Sequence, residues 1–239
     1  MFSLCSPRCR RTPQGSNLKL RELSEDRFNF VLWNEDMTTE LASDPKGVAG
    51  LVSSAEAVID RLQREGCPHI SSKPAPSYTG CNKDYSHSSS DAEQLHIMIN
   101  NVFQLAIALA LTQRDEFAQA ALGQLRVFFG DAKTGMLPRL IFPNKKPTDL
   151  VDLYDMPRLL DAIALMQDKI SPSAVRFLRV WFDTFLNKVD DIKSHYHPNN
   201  RGLAGAAYDV LRMSIATWLG KSAIVREQAA AVQWRAEAP

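Results

Sequence analysis

Apolar residues recur every three or four positions along most of this chain, and no stretch alternates apolar with polar as a half-buried strand does. Val48, Leu51, Val52, Ala55, Val58, Ile59 and Leu62 set the pattern and Gly66 stops it, so a first amphipathic helix runs from Lys46 to Gly66. The same spacing predicts a long helix capped by Asp91 and ending near Thr112, and another over Asp115–Phe129 with Phe117, Ala121, Leu125 and Phe128 along one side. The joint between them is so short that they must pack as antiparallel neighbours. Further helices are expected over Thr148–Met166, with Asp155 capping the turn that holds Pro157, and from Ser171-Pro172 to near Lys193. Two more follow, around Tyr208–Leu219 with Gly220 as its stop, and over the Ala-rich Ala223–Ala236. The expectation is an all-α chain of about seven helices in successive antiparallel pairs, the form of an α/α hairpin array or toroid, with no sharp sequence repeat of the TPR or ankyrin kind.

Of the 239 residues, 45% are hydrophobic and 23% charged, enough for one large domain with a proper core. Residues 1–45 read as an irregular segment, Arg/Pro/Ser-rich at first, in which the apolar patch Phe28–Trp33 docks on the main body, residues 46–239. The 28 basic and 27 acidic residues nearly cancel, so no global field selects nucleic acid. Cys5, Cys9, Cys67 and Cys81 lack paired C-x-x-C spacing, which argues against a zinc site. Cys67 and Cys81 flank a Pro/Ser-rich loop and are read either as two free thiols or, in an exported chain, as a disulfide. The first sixteen residues lack the longer apolar core of a secretory signal. No stretch reads as long enough to span a bilayer, and the longest apolar run, Val102–Leu111, reads as a buried helix. The oligomeric state is not legible.

Side chains able to do chemistry concentrate on the connections. Ser194–Gly220 packs His195, Tyr196, His197, Asn199, Asn200 and Arg201 into a polar turn and then presents Tyr208 on a helix. The loop Cys67–Ser90 carries Lys83, Asp84 and Tyr85, and the loop Asp131–Pro147 carries Arg139, Lys145 and Lys146, cations available to an anion. Each has a plainer reading: Asn199 and Asn200 as ordinary turn residues, Tyr208 as a core tyrosine, and the basic loop as a solvated one. His195 and His197 have no third ligand at useful spacing, so neither a metal nor a cofactor is expected.

Three segments resemble the alginate lyase family of polysaccharide lyases: Pro198–Gly220 (PNNRGLAGAAYDVLRMSIATWLG), Leu109–Pro138 together with Leu150–Met166, and Asn82–Ser86 (NKDYS). The likeness covers residues 77–220 and is most specific in the double asparagine followed by Tyr-Asp-Val. Arg201 stands where the family's motif has a histidine, the tract from it to Tyr208 is somewhat longer, and Lys83 precedes Asp84 where another histidine is usual. The resemblance implies an incomplete (α/α) toroid of antiparallel helix hairpins, shortened at its C-terminal end, an extracellular or periplasmic setting, and an acidic polysaccharide such as alginate as substrate.

Cleavage of a uronic-acid polymer by β-elimination removes a proton next to a carboxylate and then expels the glycosidic oxygen. Negative charge builds on that carboxylate, and fixed donors placed on it lower the barrier. Asn199, Asn200 and Arg201 are such donors, and an arginine can grip a carboxylate through two parallel bonds. Acid and base then fall to Tyr208 or His197. A free tyrosine titrates near pH ~10, so Tyr208 serves as a base only if its pKa is depressed, the direction an adjacent arginine pushes it. His197 has the better intrinsic pKa. Lys83, Tyr85 and Arg139 are the expected substrate-binding residues. The alternative is a catalytically inactive helical module that binds acidic glycans or a protein partner.

Overall fold

The computed structural model describes residues 27–69, 91–131, 135, 150, 153–193 and 202–237. Among them are eight α-helices and no strand: α1 (Glu35–Ala42), α2 (Pro45–Glu65), α3 (Asp91–Thr112), α4 (Asp115–Leu125), α5 (Met156–Leu165), α6 (Pro172–Asp191), α7 (Leu203–Trp218) and α8 (Ser222–Glu237).

Local chemistry sets most of the helix ends. Asp44 accepts a hydrogen bond from the Lys46 N–H at 3.1 Å and Pro45 opens α2, which Gly66 closes at φ 82°. Ser171 accepts from the Ala174 N–H ahead of Pro172 in the same manner. Gly220, at φ 78°, turns the chain out of α7, and the corner between α3 and α4 is taken by Gln113 at φ 60°.

The elements depart from the sequence reading at four places. The 1–45 segment is not irregular throughout, since Glu35–Ala42 is helical with the Asn34 side chain accepting from the Met37 N–H. The helix from Asp115 ends at Leu125 and continues as a π-helical turn over Arg126–Gly130. The helix expected from Thr148 begins at Met156, and α7 begins at Leu203, five residues before Tyr208. The span Glu93–Thr112, with mean hydropathy 1.6, is long and apolar enough to cross a membrane, contrary to the expectation that no stretch is. In this fold Leu95, Met98, Ile99, Val102, Leu105, Ala106, Ala108 and Leu109 on that helix are all buried in the core. α3 packs against α2, α4 and α5, which accounts for its being apolar on several sides.

Successive helices pair as hairpins at α3 with α4 and at α7 with α8, each joined by a short connection, while α6 packs on α7. α3, α5 and α7 contact one another in that order and make the inner layer. They run parallel. His96 and Asn100 of α3 meet Asp155 and Arg158 at the start of α5, while α7 lies antiparallel to α6, with Arg212 on Asp190 and Trp218 on Phe182. The N-terminal ends of all three inner helices therefore lie at one end of the array, a toroid-type layout of helix hairpins.

The Phe28–Trp33 patch docks as its composition demands. The Phe28 ring stacks on Trp218 and lies under the Arg179 guanidinium, 4.9 Å from its carbon. The Asn29 N–H donates to the Trp218 carbonyl at 3.3 Å, and the Phe28 N–H to Gln167 Oε1 at 2.5 Å. Asp161 of α5, 1% exposed, accepts from the N–H groups of Val31, Leu32 and Trp33 at 2.5, 2.8 and 2.9 Å. Burial raises the Asp161 pKa more than those three bonds lower it. Cys67 is a half-buried free thiol whose pKa burial pushes up. Cys5, Cys9 and Cys81 lie outside the described residues.

Candidate functional site

The end of the array where α3, α5 and α7 begin is the end that the chemistry-bearing sequence segments lead into. Lys83 and Tyr85 precede α3, Arg139 precedes α5, and His197, Asn199, Asn200 and Arg201 precede α7. These seven lie outside the described residues, as do His195 and Lys145. Of the expected site residues, Tyr208 is the one the structure describes.

Tyr208 sits near the start of α7 and is 1% exposed. Burial pushes its pKa up to about 12. The positive charge of Arg212 works against that shift, while Asp190, Asp209 and Glu227 add to it. The net direction is the reverse of the depression a base would need, so the phenol keeps its proton at neutral pH. Such a group donates a proton more readily than it takes one.

Beside Tyr208 lies a polar network that holds three helices together. Arg212, 3% exposed, donates through Nε to Asp190 of α6 at 2.6 Å, and through Nη1 and Nη2 to Gln228 and Glu227 of α8 at 2.9 and 3.2 Å. Gln228 donates in turn to Asp209 at 2.6 Å, and Lys193 pairs with Glu227. Burial lowers the Arg212 pKa, but its bonds to Asp190 and Glu227 outweigh that and leave it raised. Glu227 is lowered, chiefly by the Lys193 bond.

A second group of polar side chains lies where α3 and α5 begin, and the sequence reading did not single it out. His96 Nδ1 is 3.2 Å from Asp155 Oδ2. Arg158 Nη1 donates to Asn100 Oδ1 at 2.9 Å and stands 3.8 Å from Asp155 Oδ1. The guanidinium also lies over the Phe103 ring at 4.7 Å, which fixes its plane. Tyr154 packs against the His96 ring with centroids 5.1 Å apart. Asp155, expected to cap α5, makes no side-chain capping bond there. The sequence signal that marks this group is His96 and Asn100, four residues apart on one face of an otherwise apolar helix. Among the described residues no three His, Cys, Asp or Glu side chains converge to hold a metal ion.

The sequence profile of the family described as alginate lyase matches residues 42–237. The chain belongs to the alginate lyase family. A search of curated proteins finds no match. Among solved structures, an alginate lyase from Bacteroides ovatus superimposes with a TM-score of 0.71 at 18% sequence identity, over 85% of this chain and 64% of that one. At that identity the likeness shows the fold, and the helical toroid of the alginate lyase family is the architecture described above. The chain spans 64% of the length of the B. ovatus alginate lyase.

Proposed function

We propose that the chain is a polysaccharide lyase that cleaves a uronic-acid polymer such as alginate by β-elimination. The observation that carries this reading is the family match over residues 42–237, within which Asn199 and Asn200 shortly precede α7 and Tyr208 in sequence. Asn199, Asn200 and Arg201 neutralise the uronate carboxylate as the adjacent C–H gives up its proton. His197 takes that proton, imidazole being the side chain type whose free form can act as a base near neutrality. Tyr208, protonated at neutral pH, returns a proton to the departing glycosidic oxygen. Lys83, Tyr85 and Arg139 bind the flanking sugars. On this reading the C–H and glycosidic C–O bonds break and a C=C forms, the first proton going to His197 and the leaving oxygen taking its proton from Tyr208.

The test is ultraviolet absorbance of unsaturated uronate ends on incubation with alginate and related polyuronates. Product from the parent chain, lost on Arg201→Ala by about a hundredfold or more, supports the assignment. Persistent glycan binding without product selects a non-catalytic helical module instead.

A further inference from the structure

The polar group at the start of α3 and α5 is built like a binding site. A carboxylate only accepts hydrogen bonds, so a proton on His96 Nδ1 serves Asp155, and in that tautomer Nε2 is the acceptor that faces outward from the pair. Arg158 is committed to Asn100 and Asp155 through Nη1, and its Nε and Nη2 donors make no hydrogen bond among the described residues. The side chain of Asp155 is 12% exposed, against 23% for His96 and 38% for Arg158, so the anion lies behind and the donor and acceptor lie in front. Tyr154 stands beside them at 58% exposure, high for an aromatic side chain with a ring neighbour.

A donor fork, an acceptor nitrogen and an exposed aromatic face together match one sugar acid. The guanidinium suits a carboxylate, the ring nitrogen suits a donating hydroxyl, and the phenol ring suits the C–H face of a pyranose. We propose that Arg158, His96 and Tyr154 form a subsite for one uronate residue of the polymer, held by Arg158 on the carboxylate and His96 Nε2 on a hydroxyl. The polyuronate reading supplies the ligand class. The subsite binds whether or not the chain turns the polymer over.

The experiment is calorimetric titration of the full chain with hexameric uronate oligosaccharides and with a neutral glucose hexamer, alongside the His96 imidazole signals in NMR, assigned by their loss in His96→Gln. The expected result is that uronate oligomers shift the His96 signals, that Tyr154→Ala and His96→Gln each weaken binding about tenfold, and that the neutral hexamer does not bind. Tyr154 is exposed, so its truncation leaves the fold intact and keeps the test valid if an Arg158 variant unfolds. Unchanged affinity in both variants, unmoved His96 signals, or no uronate binding by the parent overturns the subsite. Lyase product with unmoved His96 signals overturns the subsite and leaves the lyase reading standing. Shifted signals without product do the reverse.

Discussion

Phe28 lies flat on Trp218, with ring centroids 4.0 Å apart and planes 10° from parallel. The two are separated by most of the chain, and the contact closes the N-terminal segment onto the C-terminal end of α7. Trp218 also meets Phe182 edge-on at 5.0 Å, so Phe28 completes an aromatic cluster rather than covering its outside. Phe28→Ala is expected to cost about 3–5 kcal/mol, the range for emptying a buried aromatic site. Urea denaturation measures it. A loss under about 1 kcal/mol would mean that the segment is dispensable.

Asp161 is the second anchor of that segment. Its removal leaves the three N–H groups of Val31, Leu32 and Trp33 without their acceptor at a partly buried site. Asp161→Ala is expected to lose on the order of 3 kcal/mol, and hydrogen exchange at these three amides should accelerate more than exchange in α3.

Arg212 joins α6, α7 and α8 through one guanidinium. Breaking a buried ion pair by removing one partner costs about 3–5 kcal/mol. Asp190 and Glu227 are 33% and 49% exposed, so water re-solvates them in part and the lower end, about 3 kcal/mol, is expected for Arg212→Ala. The melting temperature of the variant measures this, and a value equal to the parent's would remove the network from the stability of the hairpins.

The raised pKa of Tyr208 has a stability consequence with a definite sign. The unfolded chain ionises its tyrosines near pH ~10, whereas folded Tyr208 holds its proton to about 12. Its contribution is therefore fully present below pH ~10 and is lost as pH rises through about 12, by about 2–3 kcal/mol at most. Between those values the parent should lose stability faster than Tyr208→Phe, which has no phenol proton to hold. Parallel denaturation curves for the two across that range would show that Tyr208 titrates normally.

Much of the architecture was legible because helical periodicity reports burial directly. The spacing of Val48 to Leu62, the helix starts at Lys46 and Ser171-Pro172 and the Gly66 and Gly220 stops all correspond to observed boundaries or lie within two residues of them. The misreadings have physical causes. Asp155 precedes a proline and looks like a cap, but His96, fifty-nine positions away, competes for its carboxylate, and such partners do not show in local sequence. Whether Tyr208 titrates low or high does not show in its sequence neighbours, because desolvation in the core depends on packing that periodicity does not quantify. The Glu35–Ala42 helix escaped notice because its length, eight residues, gives too few turns for a periodic signal.

The most direct test of the lyase reading is incubation of the soluble, cooperatively folded chain with alginate and other polyuronates, followed by the ultraviolet absorbance of unsaturated uronate ends. The reading predicts that absorbance rises with time on at least one polymer and that Tyr208→Phe lowers the rate about a hundredfold or more while uronate oligomers still bind. No rise on any polyuronate, from folded protein that binds them, would contradict it.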